Sequence, residues 1–182
     1  AVNLNKMRTA KSSRWITVQG IEVLGGNGAI ESFSVLPRLL RDAIVYENWE
    51  GTHNTLIMQI YRDFKRYKLQ ERFFEHLGSL LMISGICPNR GPELKKIAAK
   101  FQSELSEILE MDDAMAPLLL RPWLDDVCYV LYAAVRLSEM AQRAGDSKLD
   151  MQILEHFFEL RLRPERSRDD SYLERIAAIA NA

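Results

Sequence analysis

The 182 residues carry 24 Lys and Arg against 25 Asp and Glu, and 47% are apolar, enough for the core of one compact domain or of a piece of a larger protein. So even a charge balance supplies no bulk field for nucleic acid, anionic lipid or a strongly acidic substrate, so partners have to be recognised locally. No apolar run reaches the length of a membrane span and the first residues lack a secretion signal, which predicts a soluble, intracellular protein.

The opening AVNLNKMRTAKSSRW has no initiator Met and enters helical spacing at once, as expected of a fragment. Leu4, Met7, Thr17, Val18, Ile21 and Leu24 share a broad face at intervals of three and four, predicting a helix to about residue 24 that needs a partner. A turn follows at GGNG (25–28), and a short helix is predicted over Leu39–Tyr46. The next begins near Thr52, whose hydroxyl can cap free N–H groups, and continues through Leu56, Ile57, Ile60, Tyr61 and Phe64 into the charged RDFKRYK.

Further helices are predicted over 69–86, 92–115, 122–144, 148–161 and 170–181, separated by CPNRG, Pro117 to Pro122, GDS and RPERSRDD. Nothing alternates as a strand would, and no repeat recurs at a fixed period, so the fold class is all-α, a helical bundle. The stripes Phe73, Phe74, Leu77, Leu80, Leu81 and Val127, Val130, Leu131, Ala134, Val135 are predicted core faces. RLRPERSR (161–168), adjoining Asp169 and Asp170, is expected to be a solvated linker. Cys87 and Cys128 form no CxxC and are expected as reduced thiols, and the scattered His53, His76 and His156 predict no metal site.

Two segments stand out, EVLGGNGAIES (22–32) and RLLRDAIVYENWEGTHN (38–54). The first sets a helix end beside glycines, which serves either to turn the chain or to expose peptide groups to a diphosphate. The second sets Glu50 between Trp49 and Gly51, just before a helix start. An acid there gains roughly 0.3–1 kcal/mol from the helix dipole, or it is a base kept from water for chemistry. Burial beside Trp49 makes a carboxylate a stronger base, and the helix starting near Thr52 opposes part of that gain.

Together and in this order, Glu22-Val23-Leu24-Gly25-Gly26-Asn27-Gly28-Ala29, Arg38-Leu39-Leu40-Arg41-Asp42-Ala43 and Trp49-Glu50-Gly51-Thr52 resemble the acyl-CoA dehydrogenase family. The resemblance is close over about residues 14–68; the rest is loosely similar to the long helical C-terminal extensions of some branches. It implies a partial C-terminal helical domain over 1–68 with a helical extension over 69–182 packed on it. The implied activity is α,β-dehydrogenation of an acyl-CoA thioester, with Glu50 as the α-proton base in a dry recess and FAD as hydride acceptor. It also implies Gly51 against the thioester, and Glu22, Val23, Leu24, Gly25, Gly26, Thr52, His53 and Asn54 as FAD contacts.

An electron-transfer flavoprotein or similar acceptor, and further copies of the chain in a homo-oligomer, are the implied partners; nucleic acid is not. The implied location is the cytoplasm, with the mitochondrial matrix as the alternative. Family members also have an N-terminal helical and a middle β domain, so the isolated chain is expected to be inactive. Glu22 stands where Gln is usual, Ala29 where Tyr is usual, and Ser34 at the place of a proline that here is Pro37. These departures suggest a divergent branch, the competing reading being a catalytically silent helical interaction or oligomerisation module.

Overall fold

The computed structural model describes residues 2–83, 90–143, 148–162 and 170–181, and all regular structure among them is helical. The α-helices are α1 (Val2–Leu24), α2 (Leu36–Asn48), α3 (His53–Tyr67), α4 (Leu69–Ile83), α5 (Arg90–Glu110), α6 (Ala116–Gln142), α7 (Lys148–Arg161) and α8 (Asp170–Ala180), with a short 3-10 helix over Gly25–Ala29. Cys87, the GDS linker, and residues 163–169 with most of the basic RLRPERSR cluster lie outside the described residues. No described helix is long and apolar enough to cross a membrane. The chain divides into two units, Ala1–Tyr67 and Lys68–Ala182.

In the first unit α2 runs back along α1. Gly20 of α1 meets Leu36 at the start of α2, where a Cβ would stand 3.2 Å from Leu36 Cδ1. At the far end of α2, Arg14 Nε reaches Glu47 Oε1 at 3.0 Å, and Asn3 Nδ2 donates to Gln59 Oε1 of α3 at 3.2 Å. The small core holds Leu4, Met7, Ala10 and Thr17 from α1, Ala43 from α2, and Leu56, Ile57, Ile60, Tyr61 and Phe64 from α3. Thr17 joins that face because its hydroxyl donates to Ser13 O at 2.9 Å. Val18 and Leu24, predicted on the same face, are exposed and Ile21 is half-buried. Near its start α1 meets α3 through Asn3, and near its end it meets α2 at Gly20 and the 3-10 helix at Ile21.

α2 begins at Leu36, three residues before the predicted start, because Pro37 falls in the first turn, where a missing N–H costs nothing. Ser34 Oγ accepts the Leu36 N–H at 3.1 Å. The predicted GGNG turn is a turn of 3-10 helix, and its Gly28 packs directly on α1: a Cβ there would stand 2.6 Å from Ile21 O.

The second unit is built round α6, which contacts α4, α5 and α7. Its buried residues, among them Leu120, Leu124, Val127, Val130, Ala134 and Leu137, extend round most of its circumference, as in a helix enclosed by others. They pack with Leu77 and Leu81 of α4, Leu94 and Ala98 of α5, and Leu154 and Phe158 of α7. Phe73, Phe74, Leu80 and Leu131 flank this core, whereas Val135, a predicted core residue, is exposed. Trp123 is held at the α5–α6 contact, its Nε1 donating to Phe101 O at 3.0 Å.

α6 starts at Ala116 rather than at the predicted 122. Asp112 Oδ1 accepts the N–H groups of Ala114 and Met115, each at 2.9 Å, which ends the α5 region and turns the chain into α6. Pro117 then lies in the first turn and Pro122 inside the helix. Proline removes the bond that residue 122 would give to Leu118 C=O, at a cost of about 3 kcal/mol in a helix interior. Pro122 and Leu118 lie on the exposed side of the helix, and burial of Leu120, Trp123 and Leu124 on the other offsets the loss. α7 is fastened by three arginine–carboxylate pairs: Arg136 of α6 with Asp150, Arg90 of α5 with Glu155, and Arg175 of α8 with the buried Glu159.

Candidate active site

The turn between α2 and α3 has an unusual backbone. α2 closes when the Trp49 N–H donates to Val45 O at 2.8 Å. Trp49 (φ −64°, ψ 135°) and Glu50 (φ 60°) then carry the signs of the central pair of a type II turn. The second of these positions favours Gly or Asn, and the close approach of Cβ to the carbonyl oxygen costs another L-residue there roughly 1 kcal/mol. Gly51 follows at φ 116°, beyond the reach of ordinary side-chain-bearing residues. A Cβ on Gly51 would meet Thr55 Cγ2 at 3.5 Å, an ordinary contact, so the demand for glycine here is conformational before it is spatial. Thr52 caps α3, its Oγ1 accepting the Thr55 N–H at 3.4 Å.

Facing this turn, α1 presents Lys6, Thr9, Ala10 and Ser13, spaced as one helix face and mostly small. With Tyr46, Trp49 and Glu50 they line a cleft of about 530 Å³. Lys6 Nζ donates to Gly51 O at 2.9 Å and, more loosely, to Glu47 O at 3.4 Å. Lys6 was invisible to the sequence reading, which followed apolar residues along α1. The signal that could have found it is the Lys-x-x-Thr-Ala-x-x-Ser stripe, whose small members leave a recess beside a cation.

The dry recess expected around Glu50 is not closed by the described residues of the first unit. Glu50 is exposed and Trp49 is 63% exposed, because the turn lies at the surface with α1 on one side only. His53 is half-buried at the start of α3, and Asn54 is exposed.

Glu22, Val23, Leu24, Gly25 and Gly26 are brought together at the other end of α1, all exposed. Glu22 lies roughly 24 Å along the helix from Lys6, at ~1.5 Å per residue, so one chain does not join this segment to the Glu50 turn. Gly25 needs glycine for its φ of 61°, but Gly26 has neither a positive φ nor any atom within 4 Å of a Cβ position. With Val23 86% exposed, this backbone is open to close approach and fits what a dinucleotide diphosphate requires. Glu22 is the discordant member, an anion whose Oε2 accepts from Gln19 Nε2 at 3.1 Å.

Residues 1–64 match the family model described as "Acyl-CoA dehydrogenase, C-terminal domain". Over 107 residues, 58% of this chain, the sequence is 32% identical to "Acyl-CoA dehydrogenase family member 11" of Caenorhabditis elegans, and the match spans 17% of that protein's length. No solved structure matches the chain significantly. The all-helical architecture of residues 1–64 agrees with the helical C-terminal domain that this model describes.

Proposed function

We propose that this chain is the C-terminal helical part of a flavin-dependent acyl-CoA dehydrogenase, with Glu50 as the base that removes the α-proton of an acyl-CoA thioester. Residues 1–68 are the domain that carries the site, and 69–182 are a helical extension of it. The observation that carries this reading is the backbone of the turn. Glu50 occupies a left-handed conformation that favours glycine, next to a glycine at φ 116°, at the lip of a cleft. Strain of this kind persists where a side chain is wanted in one direction more than the backbone is wanted relaxed.

The chemistry follows from the groups at hand. An α-proton beside a thioester is weakly acidic, so the Glu50 carboxylate oxygen has to be held within reach of the α-carbon and screened from water by the rest of the protein. Tyr46, Trp49 and Ala10 offer apolar surface for that screening. Gly51, lacking a side chain, lets the backbone lie against the thioester. FAD supplies the acceptor for the hydride leaving the β-carbon. Its proposed contacts are the open backbone of Val23–Gly26 with Glu22 and Leu24 at one end of α1, and Thr52, His53 and Asn54 at the other. Because these lie at opposite ends of α1, a homo-oligomer would give a way to bring one chain's Gly25–Gly26 to another's Glu50. An electron-transfer flavoprotein or similar acceptor would reoxidise the flavin, in the cytoplasm or the mitochondrial matrix.

The test is anaerobic mixing of the full-length polypeptide with a series of acyl-CoA esters. Bleaching of a bound yellow flavin is expected, slowed by at least ~10²-fold in Glu50→Gln. A colourless, folded full-length protein, or one bleached equally fast after Glu50→Gln, would replace this reading with that of a silent helical interaction module.

A further inference from the structure

We propose that Lys6 is a positioning residue for Glu50, acting by clamping the two ends of the turn that carries it; this rests on the reading of Glu50 as the α-proton base. Lys6 Nζ sits between two backbone carbonyls, Gly51 O at 2.9 Å and Glu47 O at 3.4 Å. Glu47 belongs to the last turn of α2, whose carbonyls have no partner within the helix and carry the negative end of its dipole. Gly51 is the residue before the Thr52 cap of α3. One ammonium group therefore spans the whole connection Asn48-Trp49-Glu50, and its three donors suffice for both acceptors.

The turn needs such a clamp. Glu50 is held at φ 60°, which an L-residue disfavours, beside Gly51 at φ 116°, which suits glycine alone. Packing contributes little, because Trp49 and Glu50 are both exposed. The Arg14–Glu47 ion pair fixes the end of α2 through a side chain, but it stops short of the Glu50-Gly51 peptide. Lys6 alone among these groups reaches across to Gly51 O. It also shares the cleft with Glu50, so the residue that fixes the turn borders the space in which the base would act. A catalytic carboxylate displaced by about 1 Å loses on the order of 10²-fold in rate, which sets the scale of the effect.

The experiment uses the full-length flavoprotein with Lys6→Met and Lys6→Arg, each alone and combined with Glu50→Gln. Proton abstraction is read with a 3-thia-acyl-CoA, which can lose its α-proton without passing a hydride. Amide hydrogen exchange of residues 49–56 is followed in the same proteins without ligand. For Lys6→Met the expected result is proton abstraction slowed by about 10–100-fold at every pH. Flavin content and the apparent pKa of the rate profile stay unchanged, and exchange is faster in the turn but not in α6. Lys6→Arg, which keeps the charge and brings donors able to reach both carbonyls, should recover most of the rate. On the residual rate of Glu50→Gln, Lys6→Met should add little.

Wild-type proton abstraction in Lys6→Met, with Glu50→Gln inactive, would overturn the role of Lys6 and leave the base in place. A shifted profile with an undiminished plateau would do so too, showing that Lys6 acts through its charge alone. Wild-type abstraction in Glu50→Gln would remove the base reading and this proposal with it.

Discussion

The two units solve the burial problem differently. In Lys68–Ala182, α6 is enclosed by its neighbours, and side chains such as Leu124, Val127, Val130 and Phe158 are wholly removed from water. In Ala1–Tyr67 the core is small, drawn from one face of α1, Ala43 of α2 and the near side of α3, while Trp15, Ile16, Val23, Phe33 and Trp49 remain exposed. Isolated exposed apolar residues are unremarkable, but this many large ones on a unit of this size is the mark of a surface made to be covered. The unit with the strained turn and open glycines is the one that leaves more large apolar side chains in water. The larger buried core and the strained turn are thus carried by different stretches of one chain.

The largest expected effect tests the larger core of the second unit. Phe158→Ala should cost about 3–5 kcal/mol in urea unfolding, because the ring is fully buried and lies under the Arg90 guanidinium. Trp15→Ala, at a side chain 55% exposed, should change stability by no more than about 0.5 kcal/mol. Equal costs at the two positions would abolish the contrast.

Within the first unit, Gly28→Ala should cost about 1–3 kcal/mol, since its Cβ would be driven into Ile21 O. Gly26→Ala, with open space at its Cβ, should leave stability within about 0.5 kcal/mol and reduce flavin retention in the full-length protein. Glu50→Gly should go the other way, raising stability by roughly 1 kcal/mol by relieving the positive φ while abolishing proton abstraction. A loss of stability there would mean that the turn is not strained.

The smallest effect is a pH dependence of the second unit. Burial pushes the His156 imidazole below its ordinary value of 6.5, with the Glu159 charge opposing and the Arg175 charge assisting. The unfolded chain therefore takes up this proton at a higher pH than the folded one. Stability from this source is complete above about pH 6.5 and declines as pH falls from there through the folded value. Melting temperatures between pH 8 and 5 should show the decline, and His156→Gln should flatten it.

Helix positions were readable in advance wherever spacing and caps agreed, as in α3, α7 and α8, because a 3.6-residue period imprints on sequence directly. Proline misled where burial outweighed it: Pro122 looked like a boundary, yet the apolar residues on either side of it hold α6 together through the missing hydrogen bond. Val18 and Val135 looked like core because periodicity names a face and not what covers it. The residue types of the candidate site, Glu50 and Gly51 among them, were legible as a motif, since type and order are one-dimensional properties. The left-handed φ of Glu50, the separation of the two segments along α1 and the reach of Lys6 to the far side of the turn were not. They depend on residues 41 and 45 positions apart meeting in space, and no local pattern records a contact formed only when α2 folds back on α1.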